Sequence, residues 1–224
     1  TYAAWLEYPD PATEPGFPLI VLIASGAHTD LILMEDHGKY EFLGRTRDDA
    51  AGEAFDKAAR VLNLGFPGGP AIQKIAENVK PSFKLPRAWL NNSYDFSFSG
   101  IKTAVLYKAQ DCGIYPYSED TYDQAKVSEI ASAFQESVVD VISHKAALAV
   151  KKFGAKGLIL GGGVSANTPL RIACKERSPA PVLIPSPKLC TDNGSMIATV
   201  AYYKLMQGKS HNIDFDANPN LPLE

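Results

Sequence analysis

The sequence predicts an α/β fold with a mixed sheet and flanking helices, and three observations carry that prediction. An antiparallel meander is signalled between residues 19 and 42, one long amphipathic helix between about 127 and 152, and a strand–helix–strand unit between 156 and 184. Antiparallel pairing at one end and a parallel pair at the other call for a single sheet containing both senses.

The first strand is Leu19-Ile20-Val21-Leu22-Ile23-Ala24, a short continuous apolar run suited to burial on both faces. Before it lie Pro9, Pro11, Pro15, Gly16 and Pro18, which read as a linker, and Tyr2-Ala3-Ala4-Trp5-Leu6, which reads as the middle of an amphipathic helix. Folding proper is therefore expected to begin at Leu19. Leu31, Leu33 and Tyr40, Phe42 flank the turn signal Asp36-His37-Gly38, giving two further strands. Ala54, Phe55, Ala58, Val61 and Leu62 recur at helical spacing until Gly65, Pro67, Gly68 and Gly69 stop the helix, with a second helix expected from Pro70. Ser97-Phe98-Ser99-Gly100 reads as the cap of a helix carrying Lys102 and Thr103. Val127, Ile130, Phe134, Val138, Val141 and Ile142 form the apolar stripe of the long helix. A strand over 156–160, the turn Gly161-Gly162-Gly163, a helix near Ala166 to Lys175 and a strand Pro181 to Ile184 follow. Asp192 to Gln207 reads as a closing helix, with Asp192 at or near its N-cap. This order of elements matches one lobe of the actin-like, sugar-kinase-like (ribonuclease H-like) ATPase architecture, an analogy that carries no function.

Composition narrows the possibilities. The 224 residues can bury one sizeable core or two small lobes sharing a cleft, and 46% hydrophobic with 21% charged residues is ordinary globular usage. The longest apolar run is far below the ~18 residues of a membrane-spanning helix. A formal charge of −3 gives no global field to attract nucleic acid, so any such contact must be local. The one basic stretch, with Lys80, Lys84, Arg87, Lys102 and Lys108 against Asp95, is either a nucleic-acid contact or a solvated surface. Cys112, Cys174 and Cys190 are widely spaced, which suggests neither a disulfide framework nor a zinc knuckle and fits a reducing compartment.

Several motifs have both a chemical and a purely structural reading. Gly161 to Gly163, between a buried strand and a helix, could present amides to a phosphate or ribose, or could be a tight βα turn. Gly161, Gly163 and Ala166 fit G-x-G-x-x-A, yet no acid follows at the next strand to take a ribose hydroxyl, and no G-K-[ST] occurs. In Ser25-Gly26-Ala27-His28-Thr29, small residues would let backbone amides approach an anion, while His28 alone reads more readily as a structural histidine. Asp48, Asp49, Glu53 and Asp56 surround one helix start, either complementing its dipole or supplying ribose or cation contacts, and Asp56 needs a partner inside an apolar helix. Asp192 is a helix cap or a metal ligand. Asn91-Asn92-Ser93 matches a glycosylation acceptor but is discounted without a signal peptide, and His37, His144 and His211 have no spacing that makes a metal pair.

Taken together and in order, Ser25-Gly26-Ala27-His28-Thr29, the run from Asp48 to Lys57, Phe66-Pro67-Gly68-Gly69-Pro70, the run from Asp95 to Thr103, Gly161-Gly162-Gly163-Val164-Ser165-Ala166-Asn167 and Cys190-Thr191-Asp192-Asn193-Gly194 resemble the tRNA threonylcarbamoyladenosine biosynthesis transferases, formerly the glycoproteases (TsaD). The resemblance covers about Phe17 to the C-terminus. It implies the actin-like fold and transfer of a threonylcarbamoyl group from its adenylate to the exocyclic amine of an adenosine beside a tRNA anticodon, with AMP leaving. It further implies that Ile23, Ala24, Ser25, Gly26 and Ala27 hold the phosphate or carbamoyl side, Asp56 and Gly69 the ribose, and Asn167 the nucleoside. Asp192 would be one ligand of a divalent metal, Fe or Zn, and ATP is a further candidate nucleotide beside the adenylate.

By the same resemblance, residues 1–16 are a linker from an N-terminal lobe, 17–191 the C-terminal nucleotide-binding lobe with a helical insertion around 66–125, and 192–224 a closing helix and tail. Expected partners are tRNA, through the basic stretch with Lys84 and Arg87, accessory subunits of the modification complex, and a homodimer or heterodimer through the closing helix. No membrane partner is expected, and the expected compartment is the cytoplasm or an organellar matrix. Departures are that the family's H-x-x-x-H histidines do not occur here, that Ala27 replaces a usual Gly, and that Gln73 stands where many members carry Asp. A chain opening at Thr1 without those histidines is expected to be a fragment, inactive alone. The alternative is a non-catalytic nucleotide-binding paralogue that dimerises with the transferase. A metalloprotease ranks last, for no H-E-x-x-H is present.

Overall fold

The computed structural model describes residues 1–8, 12–209 and 216. Its centre is a five-stranded sheet in the order β3-β2-β1-β4-β5. Strand β1 (Leu19–Ala24) pairs antiparallel with β2 (Thr29–Asp36) and parallel with β4 (Gly157–Gly161). Strand β3 (Lys39–Arg45) extends the meander, and the short β5 (Val182–Leu183) lies parallel to β4. The meander, the parallel pair and the mixed sheet are those the sequence predicts.

Strand β1 is apolar at every position because both faces of the sheet are covered. Ile20 and Leu22 point with Leu31, Leu33, Leu158 and Leu160 into the main core. Leu19 and Val21, one residue out of phase, point with Ile32, Met34 and Ile159 to the other face. On the main face sits α4 (Gln124–Phe153), whose predicted stripe from Val127 to Ile142 is buried throughout. It opens at Asp123, whose carboxylate accepts from Ala125 N and Lys126 N, and closes at Gly154 with φ 59°. Phe134 meets Phe55 of α1 (Ala51–Val61) edge to face at 5.1 Å.

The opposite face corrects the expectation that folding begins at Leu19. Tyr2–Leu6 forms a 3-10 helix, not an α-helical segment, and Tyr2, Ala4 and Trp5 are buried against the sheet. Val200 and Tyr203 of the closing helix α7 (Gly194–Met206) join them, and Tyr203 stacks on His37 with ring centroids 4.0 Å apart. Pro9 and Pro11 of the predicted linker lie outside the described residues, as does His211. The other side of α7 is bare, with Ile197 68% and Leu205 66% exposed. Thus the closing helix is anchored by one edge only.

Helix α2 spans Gly68–Ile75 and so starts two residues before Pro70. Helix α3 (Ser99–Asp111) is not capped by its own serines. Instead Asp48, from the start of α1, accepts from Phe98 N at 2.8 Å, Ser99 N at 3.3 Å, Ser97 Oγ at 2.5 Å and Ser99 Oγ at 2.7 Å. A charged acceptor is better matched than a hydroxyl to the positive end of a helix, so the cap comes from a carboxylate distant in sequence. Burial raises the Asp48 pKa, but the hydrogen bonds from Ser97, Ser99 and the two amides outweigh it and hold the carboxyl below its ordinary value.

A depressed folded-state pKa means that the stability Asp48 contributes is complete above the ordinary value of 3.8 and is lost as pH falls below it. Asp48→Ala is expected to cost ~1 kcal/mol at neutral pH in urea denaturation. The gap from wild type should close in acid, where the wild-type carboxyl is protonated too.

Candidate functional site

Strand β1 delivers its C-terminal end into the turn 25–28, which is tied from within. Ser25 N donates to His28 O at 2.8 Å, and Ser25 Oγ accepts from Ala27 N at 3.3 Å and His28 N at 3.0 Å. Gly26, Ala27 and His28 are exposed, and open space lies above Gly26. The N-terminus of α1 presses on one side of this turn, with Gly52 N donating to Ser25 O at 3.0 Å and Ala51 N to the buried Thr29 Oγ1 at 2.9 Å. The Gly161-Gly162-Gly163 turn also meets the end of β1. Gly162 has φ +85° and lies so near the Ala24 carbonyl that a Cβ would overlap it, which is why glycine stands there.

Asp56 finds the partner its sequence context demands. Its Oδ1 accepts from Gly68 N at 2.7 Å, and Gly68 lies against the Asp56 backbone, where an added Cβ would come within 2.6 Å of Asp56 Cα. This contact sets α2, and with it Gly69, beside α1. One turn further along α2, Gln73 Oε1 accepts from Thr168 N at 2.7 Å, at the start of α5 (Thr168–Arg177). The neighbouring Asn167 is buried: its Oδ1 accepts from Leu170 N at 3.0 Å and its Nδ2 donates to Gln135 Oε1 at 2.9 Å. Asn167 is therefore both a helix cap and a polar group aimed by a second one.

These contacts close a ring. The Ile23–Ala27 segment touches α1, α1 carries Asp56, Asp56 holds Gly68 and Gly69, Gln73 reaches Thr168 beside Asn167, and the 3-10 turn Gly163–Ala166 returns from Asn167 to Gly162 and Ala24. Asp192 lies two residues beyond a short helix that packs on this ring. Helix α6 (Pro187–Cys190) packs on Gly163–Ala166, and Arg171 ties the two through Ser165 O at 2.6 Å, Pro185 O at 2.9 Å and Cys190 Sγ at 3.3 Å. Asp192 itself is exposed, and the N-cap of α7 is its neighbour Asn193, whose Oδ1 accepts from Met196 N at 3.0 Å. Among the described residues no group of three His, Cys, Asp or Glu side chains could hold a metal ion, and one exposed carboxylate supplies fewer donors than a transition metal needs.

The remaining acids at the start of α1 are engaged elsewhere. Asp49 bridges Lys57 at 2.7 Å and Lys102 at 3.0 Å, and Glu53 also reaches Lys57 at 2.8 Å. The basic stretch changes accordingly. Arg87 is held by Asp140 at 2.5 Å and Glu136 at 2.8 Å, Lys102 by Asp49, and Lys108 by Asp111 at 3.3 Å, so only Lys80 and Lys84 of the five lack an ion pair among the described residues. Acids from α1, α3 and α4 claimed the others, a pairing that local sequence does not display. The three cysteines are unpaired, and burial pushes the Cys174 thiol up to about 12, which leaves it unreactive.

Sequence reasoning missed Gln135, Gln73 and Asp48 as organisers. Gln135 had a signal: it is a polar residue beside the apolar stripe of α4, where burial requires a partner.

The family model for TsaD, tRNA N6-adenosine threonylcarbamoyltransferase, matches residues 1–199. The chain belongs to this family. A relative from Thermomicrobium roseum named tRNA N6-adenosine threonylcarbamoyltransferase is 51% identical over 99% of the chain and 65% of its own length. Relatives of the same name from Dehalococcoides mccartyi and Geobacillus thermodenitrificans are 44% and 46% identical, with 64% and 61% of their own lengths covered. The chain thus spans somewhat less than two thirds of the relatives it matches. In fold it is similar to full-length HypF in a phosphate- and nucleotide-bound form (TM-score 0.61, 13% identity, 86% of this chain, 34% of that one). It is also similar to the activator of 2-hydroxyisocaproyl-CoA dehydratase from Clostridium difficile with bound ADPNP (TM-score 0.53, 16% identity, 96% of this chain, 69% of that one). Those likenesses establish the actin-like ATPase fold expected from the order of elements.

Gly162→Ala tests the close approach at the centre of the ring. It must move either the Ala24 carbonyl or the glycine turn and adopt a left-handed backbone as well, so it should cost roughly 2 kcal/mol or more. Denaturant unfolding measures this, with Gly163→Ala, which meets open space, as the mild control.

Proposed function

We propose that this chain forms the nucleotide-side wall of a threonylcarbamoyl transferase that acts on tRNA. The reaction moves the threonylcarbamoyl group from its adenylate to the exocyclic amine of an adenosine beside the anticodon. The observation that carries this reading is family membership over 199 matched residues joined to a closed ring of contacts around the matched motifs.

In this reading the exposed turn at Ser25 to Ala27 faces the anionic acyl phosphate, with Ile23 and Ala24 fixing its base. Backbone amides and the nearby N-terminus of α1 suit the charge that grows there as the acyl–oxygen bond breaks. Asp56 keeps Oδ1 on Gly68 N and offers Oδ2 to a ribose hydroxyl beside Gly69. Asn167, oriented by Gln135, lines the nucleoside end. The adenosine amine attacks the carbamoyl carbon, a C–N bond forms, the C–O bond to phosphate breaks, and AMP leaves with the electron pair while the amine loses a proton. The wall contributes positioning and charge stabilisation. The nucleotides named for HypF and the dehydratase activator are in keeping with a nucleotide on this fold. The divalent metal that the family resemblance implies, and the accessory subunits, would be engaged by the whole protein.

The direct test supplies the intact protein and its accessory partners with threonylcarbamoyl-adenylate and unmodified tRNA, then digests the tRNA and looks for threonylcarbamoyladenosine by mass spectrometry. Product with release of AMP is expected. Nucleotide binding without product would favour the non-catalytic paralogue. Gly69→Leu should weaken AMP binding by roughly tenfold or more. It should leave the melting temperature nearly unchanged, because its Cβ enters open space rather than packed neighbours.

A further inference from the structure

Outside the wall, an open feature lies along the solvent face of α4. A groove of about 740 Å³ is bordered by Lys80, Lys84, Arg87, Gln135, Pro169 and Arg177 among others. It shares Asp140 and Arg177 with a second hollow that contains Lys151, and that hollow shares His144 and Leu148 with a third that contains Trp89 and Lys152. The hollows therefore adjoin one another along the helix. From Gln135 to Lys152 they follow 17 residues of helix, a path of ~26 Å.

Charge along this path does not cancel. Asp140 is gripped by Arg87 at 2.5 Å and Arg177 at 2.7 Å, and Glu136 by Arg87 at 2.8 Å, so two arginines neutralise two acids. The buried Lys145, which also lines the third hollow, is turned onto the carbonyls of Ser93 and Asp95, while Lys80, Lys84, Lys151 and Lys152 are exposed and none of them has an ion pair among the described residues. In a chain of net charge −3, four uncompensated lysines on one groove form a local positive track. One end adjoins the wall itself, since Gln135 and Pro169 flank Asn167. At the far end, Trp89 and His144 meet edge to face at 5.2 Å with Trp89 partly open to solvent, offering ring surface to an unpaired base.

We infer that this α4 groove is the path of an RNA phosphodiester backbone, with the lysines on successive phosphates and the chain entering the wall beside Asn167. The inference deepens the proposed function and rests on it for the identity of the RNA. A strand needs evenly spread point charges rather than a single pocket, which is what the four lysines supply. An acidic protein surface is the rival occupant and is an outcome of the test.

The experiment measures binding of a fluorescent anticodon stem-loop RNA to the intact protein across a salt series. Lys80→Ala, Lys84→Ala, Lys151→Ala and Lys152→Ala combined should weaken binding roughly tenfold or more at ~0.1 M salt and flatten the salt slope by about 1 for each lysine lost. AMP affinity and melting temperature should barely move, because all four side chains are exposed and make no ion pair among the described residues, Lys152 resting only over the Tyr94 ring at 5.6 Å. The control is Lys39→Ala with Lys126→Ala, two lysines already paired with Asp36 and Asp123. Unchanged RNA binding in the quadruple variant, an equal loss in the control, or polyglutamate competing as well as RNA would overturn the inference. Product formation with no effect of the quadruple variant on binding removes the groove alone. Loss of binding in that variant without product in wild type removes the proposed function alone.

Discussion

The backbone at the end of β1 is the constraint on which the rest depends. Ala24 to Gly26 is approached by two other stretches of main chain, Gly162 and Gly52, at distances that leave no room for side chains. Contacts of this kind are stiff, since neither partner can rotate away as a side chain would. They fix the turn at Ser25 relative to both the start of α1 and the glycine turn after β4. Once α1 is fixed, Asp56 is fixed, and through Gly68 so is α2. The ring then closes through Gln73 and Thr168, and a wall assembled from segments far apart in sequence behaves as one body.

Electrostatics commits two of the acids around α1 to structure. Asp48 and Asp49 are consumed, the first as the cap of α3 and the second between two lysines. Burial raises the Asp49 pKa, and the hydrogen bonds and charges of Lys57 and Lys102 more than reverse that. Asp56 is held through Oδ1 by the amide of the buried Gly68, next to the half-buried Gly69, and in the proposed reading its Oδ2 is the oxygen that meets a ribose hydroxyl. What fixes its orientation is an amide from another helix, a partner that sequence spacing alone does not announce.

Much of this architecture was legible in the sequence. Continuous apolar character in β1, alternation in the meander and the long stripe of α4 report burial directly, because each depends on the faces a local segment must hide. The glycine turns were legible too, both as breakers and through the ordered motifs of the family. What could not be read were pairings between distant residues: Asp48 capping α3, acids claiming Arg87 and Lys102, and Lys145 donating to the carbonyls of Ser93 and Asp95 from within α4. Nor did periodicity reveal that Tyr2 and Trp5 close the second face of the sheet, since a five-residue 3-10 helix has too short a pattern to register. Nor did the basic stretch show that Arg87, Lys102 and Lys108 are ion-paired while Lys80 and Lys84 are not among the described residues, as a lysine or arginine count carries no record of which charges are already met.

The central claim is that turns at Ser25, Gly69 and Gly162 belong to one surface that grips an adenosine and its acyl phosphate. Hydrogen–deuterium exchange of the intact protein with and without AMP reads this directly, segment by segment. The account predicts that slowing appears together over 23–27, 68–73 and 162–168 and saturates at one AMP concentration. Protection confined to a single one of these segments, or centred elsewhere on the protein, would contradict it.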